Sequence, residues 1–156
     1  DPFYVLQWNL KAAQLEKAWD LRTGNPGIVV AVVDTGIVSG HPDLSGRVIQ
    51  GYDFIADPTS ANDGDGWDDD PTDTGTESLQ SSAYHGTHVA GIIGAASNNK
   101  KGITGVNWAC KVMPVRALGV DKGKASGKDA DIAAAIRWAA GIAVEGADPR
   151  PARRHG

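Results

Sequence analysis

The run Ile28-Val29-Val30-Ala31-Val32-Val33, closed by Asp34-Thr35-Gly36, decides the fold. Six consecutive apolar residues with no polar alternation predict a strand covered on both faces, the pattern of a parallel sheet. Asp34 then falls at the C-terminal end of that strand, where open α/β sheets gather ligands and catalytic groups. Before the strand, Gly24-Asn25-Pro26-Gly27 breaks the chain, and residues 11–19 place Ala12, Leu15, Ala18 and Trp19 on one face of a short helix. After it, 47–55 reads as a second strand and 57–82 as a polar stretch too rich in Asp, Gly and Pro for a regular element. Residues 85–96 fit a buried helix with small faces, 111–118 a third strand, and 128–141 an amphipathic helix with Ile132, Ala135, Ile136 and Ala139 on one side. Strands alternating with helices predict an α/β layered domain built on a mostly parallel sheet.

The 156 residues, 41% of them hydrophobic, suffice for one domain with a real core. No apolar stretch approaches the roughly 18 to 20 residues of a membrane span. The opening Asp1-Pro2-Phe3-Tyr4 lacks a basic region followed by an apolar one, so the chain reads as one whose targeting segment has been removed. The net charge of -4 is unevenly spread: nine of the 19 acids lie between Arg47 and Lys100, and no Lys or Arg does. A local acidic block suits a bound cation or a solvated loop, and the absence of a basic stripe disfavours nucleic acid. Cys110 has no second cysteine to pair with, and its neighbours include no His to activate it. It reads as a buried thiol.

Two motifs carry chemistry. Asp34-Thr35-Gly36 also occurs around the carboxylates of aspartic proteases, but that reading needs a second copy, which the sequence lacks. His85-Gly86-Thr87-His88 separates its imidazoles by three positions with no intervening Glu, unlike the zinc helices that bind through His at i and i+4. His88, one turn into a tight helix, reads as a core histidine. His85 stands at the helix mouth, where the dipole and free N–H groups disfavour a cation and suit a neutral general base. A carboxylate brought to it would fix its tautomer and stabilise the imidazolium it forms.

Together these motifs resemble the subtilisin family of serine endopeptidases, in its secreted bacterial branch. The resemblance runs from about Trp8 to Gly146. It rests on Val30-Ala31-Val32-Val33-Asp34-Thr35-Gly36, His41-Pro42-Asp43-Leu44, His85-Gly86-Thr87-His88-Val89-Ala90-Gly91, Asn98-Asn99 with Gly102, Gly105-Val106 and Ile136-Arg137-Trp138-Ala139. It implies a three-layer α/β domain, incomplete on its C-terminal side, acting on protein or peptide substrates outside the cell. By this resemblance Asp34 is the orienting carboxylate and His85 the general base. Lys124, Ala125, Ser126 and Gly127 match the segment that binds substrate as an added strand, and Leu118 lines a neighbouring pocket. Read without the resemblance, Ser126 and Gly127 are a plain loop before a helix. The family's nucleophile lies in a Gly-Thr-Ser-Met-Ala-like helix start, and its oxyanion Asn lies further on; neither occurs in these 156 residues. The resemblance therefore implies a partner, a Ser-bearing C-terminal remainder, for residues 1–146. Residues 147–156, with two prolines and three arginines, form an atypical tail.

The acidic stretch Asp63-Gly64-Asp65-Gly66-Trp67-Asp68-Asp69-Asp70 offers oxygens at the spacing of a calcium loop, similar to but distinct from an EF-hand. Asp63, Asp65, Asp68 and Asp70 are its candidate ligands, with Asp73 contributing. The resemblance adds a second calcium site, formed by Asp43 with the side-chain oxygen of Asn99. Two readings stay open: part of a calcium-stabilised serine endopeptidase, or a non-catalytic fragment that binds calcium or a partner.

Overall fold

The computed structural model describes residues 1–75 and 83–149. Its centre is a parallel three-stranded sheet in the order β1-β3-β2, from β1 (Val29–Asp34), β2 (Tyr52–Asp53) and β3 (Lys111–Arg116). Val29 pairs with Lys111 and Asp34 with Arg116, while Tyr52 pairs with Val115 and Asp53 with Arg116. The C-terminal ends of all three strands therefore share one edge, which carries Asp34, Asp53 and Arg116.

Both faces of the sheet are covered, as the unbroken apolar run predicts. Helix α4 (His85–Gly94) lies on one face, where Ala90, Val89 and Ile93 meet Val32, Ile37, Leu44 and Val112. Helix α5 (Asp129–Ala139) lies on the other, where Ala134, Ala135 and Trp138 meet Tyr52, Phe54, Met113 and Val115. Trp138 anchors this layer, its indole 5.5 Å from the Tyr52 ring and 5.8 Å from Phe54. The buried face of α5 thus runs through Asp131, Ala134, Ala135 and Trp138, and Ile136, expected inside, is 54% exposed. The indole is the largest apolar group of the helix, and it turns the face by about one residue.

Three other elements differ from expectation. The second strand shrinks to Tyr52–Asp53 plus a bridge between Val48 and Val112, and Pro114 explains why. Val112 donates to the Arg47 carbonyl and accepts from the Ile49 amide, so Pro114, two residues on, presents the same side with no N–H to continue the ladder. The expected helix over 11–19 is two, α1 (Trp8–Ala12) and α2 (Leu15–Leu21), broken at Gln14 with φ 55°. Leu10 is buried at 1% exposure, while Trp19 stacks 5.1 Å from Trp108; nine positions apart, the two would point about half a turn away from each other on one continuous helix. The break turns both inward, leaving Ala12 and Ala18 exposed. The polar stretch contains a one-turn helix α3 (Pro58–Ala61), begun by the Asp57 carboxylate accepting from the Thr59 amide at 3.0 Å.

After β3, strands β4 (Gly119–Asp121) and β5 (Lys124–Ser126) form an antiparallel hairpin. Beyond α5 the chain returns to the core: the Asp148 carbonyl accepts from the Trp138 indole at 2.7 Å. Residues 76–82 of the polar stretch and 150–156 of the expected tail lie outside the described residues. No helix among the described residues is long and apolar enough to cross a membrane.

Candidate active site

The strand edge and the first turn of α4 bring together two residues 51 positions apart. His85 Nδ1 lies 2.8 Å from Asp34 Oδ1 and 2.9 Å from Oδ2. Asp34 Oδ1 also accepts from the Thr35 amide at 2.7 Å, which fixes the carboxylate plane. Close approach depends on Gly86: a Cβ there would stand 2.2 Å from the Gly36 carbonyl oxygen and 3.2 Å from Asp34 Cβ. A residue without a side chain at the second helical position lets the helix end sit on the strand end.

Because Asp34 can only accept, a neutral His85 facing it must carry its proton on Nδ1, leaving Nε2 as the basic nitrogen. The Asp34 side chain is 11% exposed and that of His85 is 47% exposed. The carboxylate is thus sheltered and held, while the imidazole it orients remains reachable. The arrangement is that of a carboxylate-oriented imidazole with its second nitrogen open. His88, expected in the core, is exposed. Three residues after His85 on the same helix, it shares the outward side, while Gly86, Ala90, Gly91 and Gly94 take the inward one.

The hairpin that carries Lys124, Ala125 and Ser126 stands at the same end of the sheet. The amides of Ala117 and Leu118 both bond the Asp34 carbonyl, at 2.9 and 3.2 Å, tying Leu118 to the site. Ser126 and Gly127 border a cleft of about 270 Å³ shared with Ile55, Asp57 and Asp131.

The expected calcium ligands separate into three groups. Asp63 is turned inward to the Arg116 guanidinium, and Asp73 is buried with its oxygens on the Thr35 hydroxyl and the Gly75 amide. Asp65, Asp68 and Asp70 stay on the loop, where burial and the charges of Asp65, Asp70 and Asp63 push the Asp68 carboxyl up. Asp43 and Asn99 do meet: Asn99 Nδ2 donates to Asp43 Oδ1 at 2.7 Å, and the Ile103 amide donates to Oδ2 at 2.8 Å. Among the described residues no three His, Cys, Asp or Glu side chains gather around one point.

Sequence reading missed a deeply buried ion pair. Arg116, 1% exposed, donates from Nη1 to Asp53 Oδ2 at 2.5 Å and also to Asp63, and from Nη2 to the Ala61 carbonyl. Burial pushes the Asp53 carboxyl up to about 7 against the pull of the guanidinium. An arginine inside the otherwise apolar Val112–Leu118 run was the available signal. Cys110 behaves as expected: it is buried, and burial pushes its thiol up, which makes it inert.

The chain is thus an α/β layered domain with a carboxylate-held imidazole at the strand edge. A profile of the Subtilase family matches residues 25–153, and the chain belongs to that family. It is 46% identical over 142 residues to an extracellular protease of Xanthomonas campestris, covering 85% of this chain and 23% of the relative. It is 40% identical over 146 residues to a thermophilic serine proteinase of Bacillus sp. strain AK1, covering 93% of this chain and 31% of that protein. Among solved structures, a protease of Pseudoalteromonas arctica superimposes with a TM-score of 0.84 at 40% identity, over 96% of this chain and 46% of its own. The chain thus spans about a quarter to a third of the curated relatives cited here.

Proposed function

We propose that this chain supplies the acid and base of a serine endopeptidase site and that the nucleophilic serine comes from sequence outside these 156 residues. The observation that carries the reading is the Asp34–His85 pair at 2.8 Å. In the reaction, His85 Nε2 takes the serine proton as the hydroxyl attacks the peptide carbonyl, and later gives it to the leaving amine. Asp34 keeps Nδ1 protonated and offsets the charge of the imidazolium. Substrate backbone would add along β5 at Lys124, Ala125 and Ser126, with Gly127 and Leu118 bordering its side chains. In subtilisin, the type member of the family, loss of the serine alone costs on the order of 10⁶-fold in kcat. The purified chain alone is therefore expected to leave a chromogenic peptide uncut, as is its His85→Ala form. Appreciable hydrolysis that persists in His85→Ala would refute the assignment.

Calcium belongs to the same proposal. Asp43 is buried and has no cationic partner among the described residues, and the loop carboxylates Asp65, Asp68 and Asp70 repel one another. The loop carboxylates Asp65, Asp68 and Asp70 offer oxygen donors suited to a hard cation, while Asp63 and Asp73 are engaged elsewhere. Beside Asp43, Asn99 presents its Nδ2 and its Oδ1 accepts from the Lys101 amide at 2.8 Å, so calcium there would require the Asn99 amide to turn. When bound, calcium would neutralise these carboxylates and take no part in proton transfer. The relatives' names, which include extracellular proteases, support export from the cell.

A further inference from the structure

Helix α4 begins without a cap of its own. Its N-cap residue, Tyr84, makes no side-chain capping bond, so the amides of the first turn need acceptors from elsewhere. One comes from the strand side: the Gly86 amide donates to Thr35 Oγ1 at 3.0 Å. The Thr35 hydroxyl has a single proton, and that proton goes to Asp73 Oδ2 at 2.5 Å. Its lone pairs are thereby left for Gly86. Asp73 is itself fixed, since its Oδ1 accepts from the Gly75 amide at 2.8 Å and its own amide donates to the Ile37 carbonyl at 3.0 Å. Asp73 and Thr35 are 8% and 5% exposed, so water competes poorly for these bonds. A second tie runs alongside, from the Val38 amide to Thr87 Oγ1 at 2.9 Å.

We propose that Asp73 and Thr35 are positioning residues for His85, with Asp73 setting the direction of the Thr35 hydroxyl so that Thr35 caps α4 from the neighbouring strand. Thr35 acts on both partners of the pair: its amide holds the Asp34 carboxylate, and its hydroxyl holds the residue next to His85. An N-terminal cap stabilises a helix start, and here its loss is felt at the imidazole one residue away. The role rests on the assignment of His85 as the base, and Asp73 acts in it through Thr35 without reaching the reacting atoms.

The test uses the intact chain and nitrogen NMR of the His85 ring, assigned with His85→Ala. The wild-type protein should hold His85 as the Nδ1–H tautomer, with the Gly86 amide protected from hydrogen exchange. Thr35→Val and Asp73→Ala should each lower the Nδ1–H to Nε2–H ratio by about fivefold and speed Gly86 exchange by about tenfold, the scale of one lost hydrogen bond. Thr35→Ser, which keeps the hydroxyl, should restore both. Wild-type values in Thr35→Val and Asp73→Ala would overturn the proposal. So would an unprotected Gly86 amide in the wild-type chain, a readout that stands even where a variant fails to fold. A failed peptidase reading would leave tautomer and exchange untouched, so the two ideas fail separately.

Discussion

Two charged clusters share the C-terminal edge of one sheet, and they are built in opposite ways. Asp34 pairs with an imidazole that is 47% exposed, whereas Asp53 pairs with a guanidinium whose side chain is 2% exposed. The first pair faces outward through its imidazole, whose Nε2 is open to whatever reaches it. In the second the guanidinium is buried and stays charged, so the pair offers no outward-facing base. Position at the strand edge therefore does not decide function; the partner's chemistry and its access do. Arg116 meets the acidic loop from beneath, through Asp63.

The sharpest way to break the comparison is at the open pair. In a domain completed with a serine, His85→Ala should lower kcat on the order of 10⁶-fold and Asp34→Asn on the order of 10⁴-fold, measured by peptide hydrolysis. Next comes the sealed pair. Arg116→Met should cost about 3–5 kcal/mol by stranding Asp53 and Asp63, seen as a melting temperature lowered by roughly 10 °C.

The same cluster has a pH signature of fixed sign. The folded Asp53 carboxyl sits near 7 and the unfolded one near its ordinary 3.8, so the folded state binds this proton more tightly between those values. Its contribution is fully present below about pH 4 and is lost as pH rises through 7. Denaturant melts of wild type and Asp53→Asn at pH 4 to 8 should show wild type losing ground to the variant across that window. Smallest is the cation effect: chelation should lower the melting temperature by a few degrees, and Asp43→Asn with Asp65→Asn and Asp70→Asn should remove that sensitivity.

The sheet and its two covering helices were legible because each rests on local pattern: an unbroken apolar run and small residues at helical spacing. The pairing of Asp34 with His85, 51 positions apart, was legible only through the family resemblance of the two motifs. What was not legible depends on contacts between distant segments. Pro114 shortens a partner strand some 60 residues away, Trp138 sets which face of α5 goes inside, and Gln14 breaks a helix so that Leu10 and Trp19 can both turn inward. Asp63 and Asp73 look like loop ligands by spacing, yet each finds a buried partner that sequence distance hides.

The most direct test of the central claim is reconstitution. The chain, mixed with a polypeptide carrying the Gly-Thr-Ser-type remainder of a subtilase domain, should cleave a chromogenic peptide that neither part cleaves alone, and His85→Ala should abolish that cleavage. A reconstituted domain that cleaves equally well with His85→Ala would contradict the account.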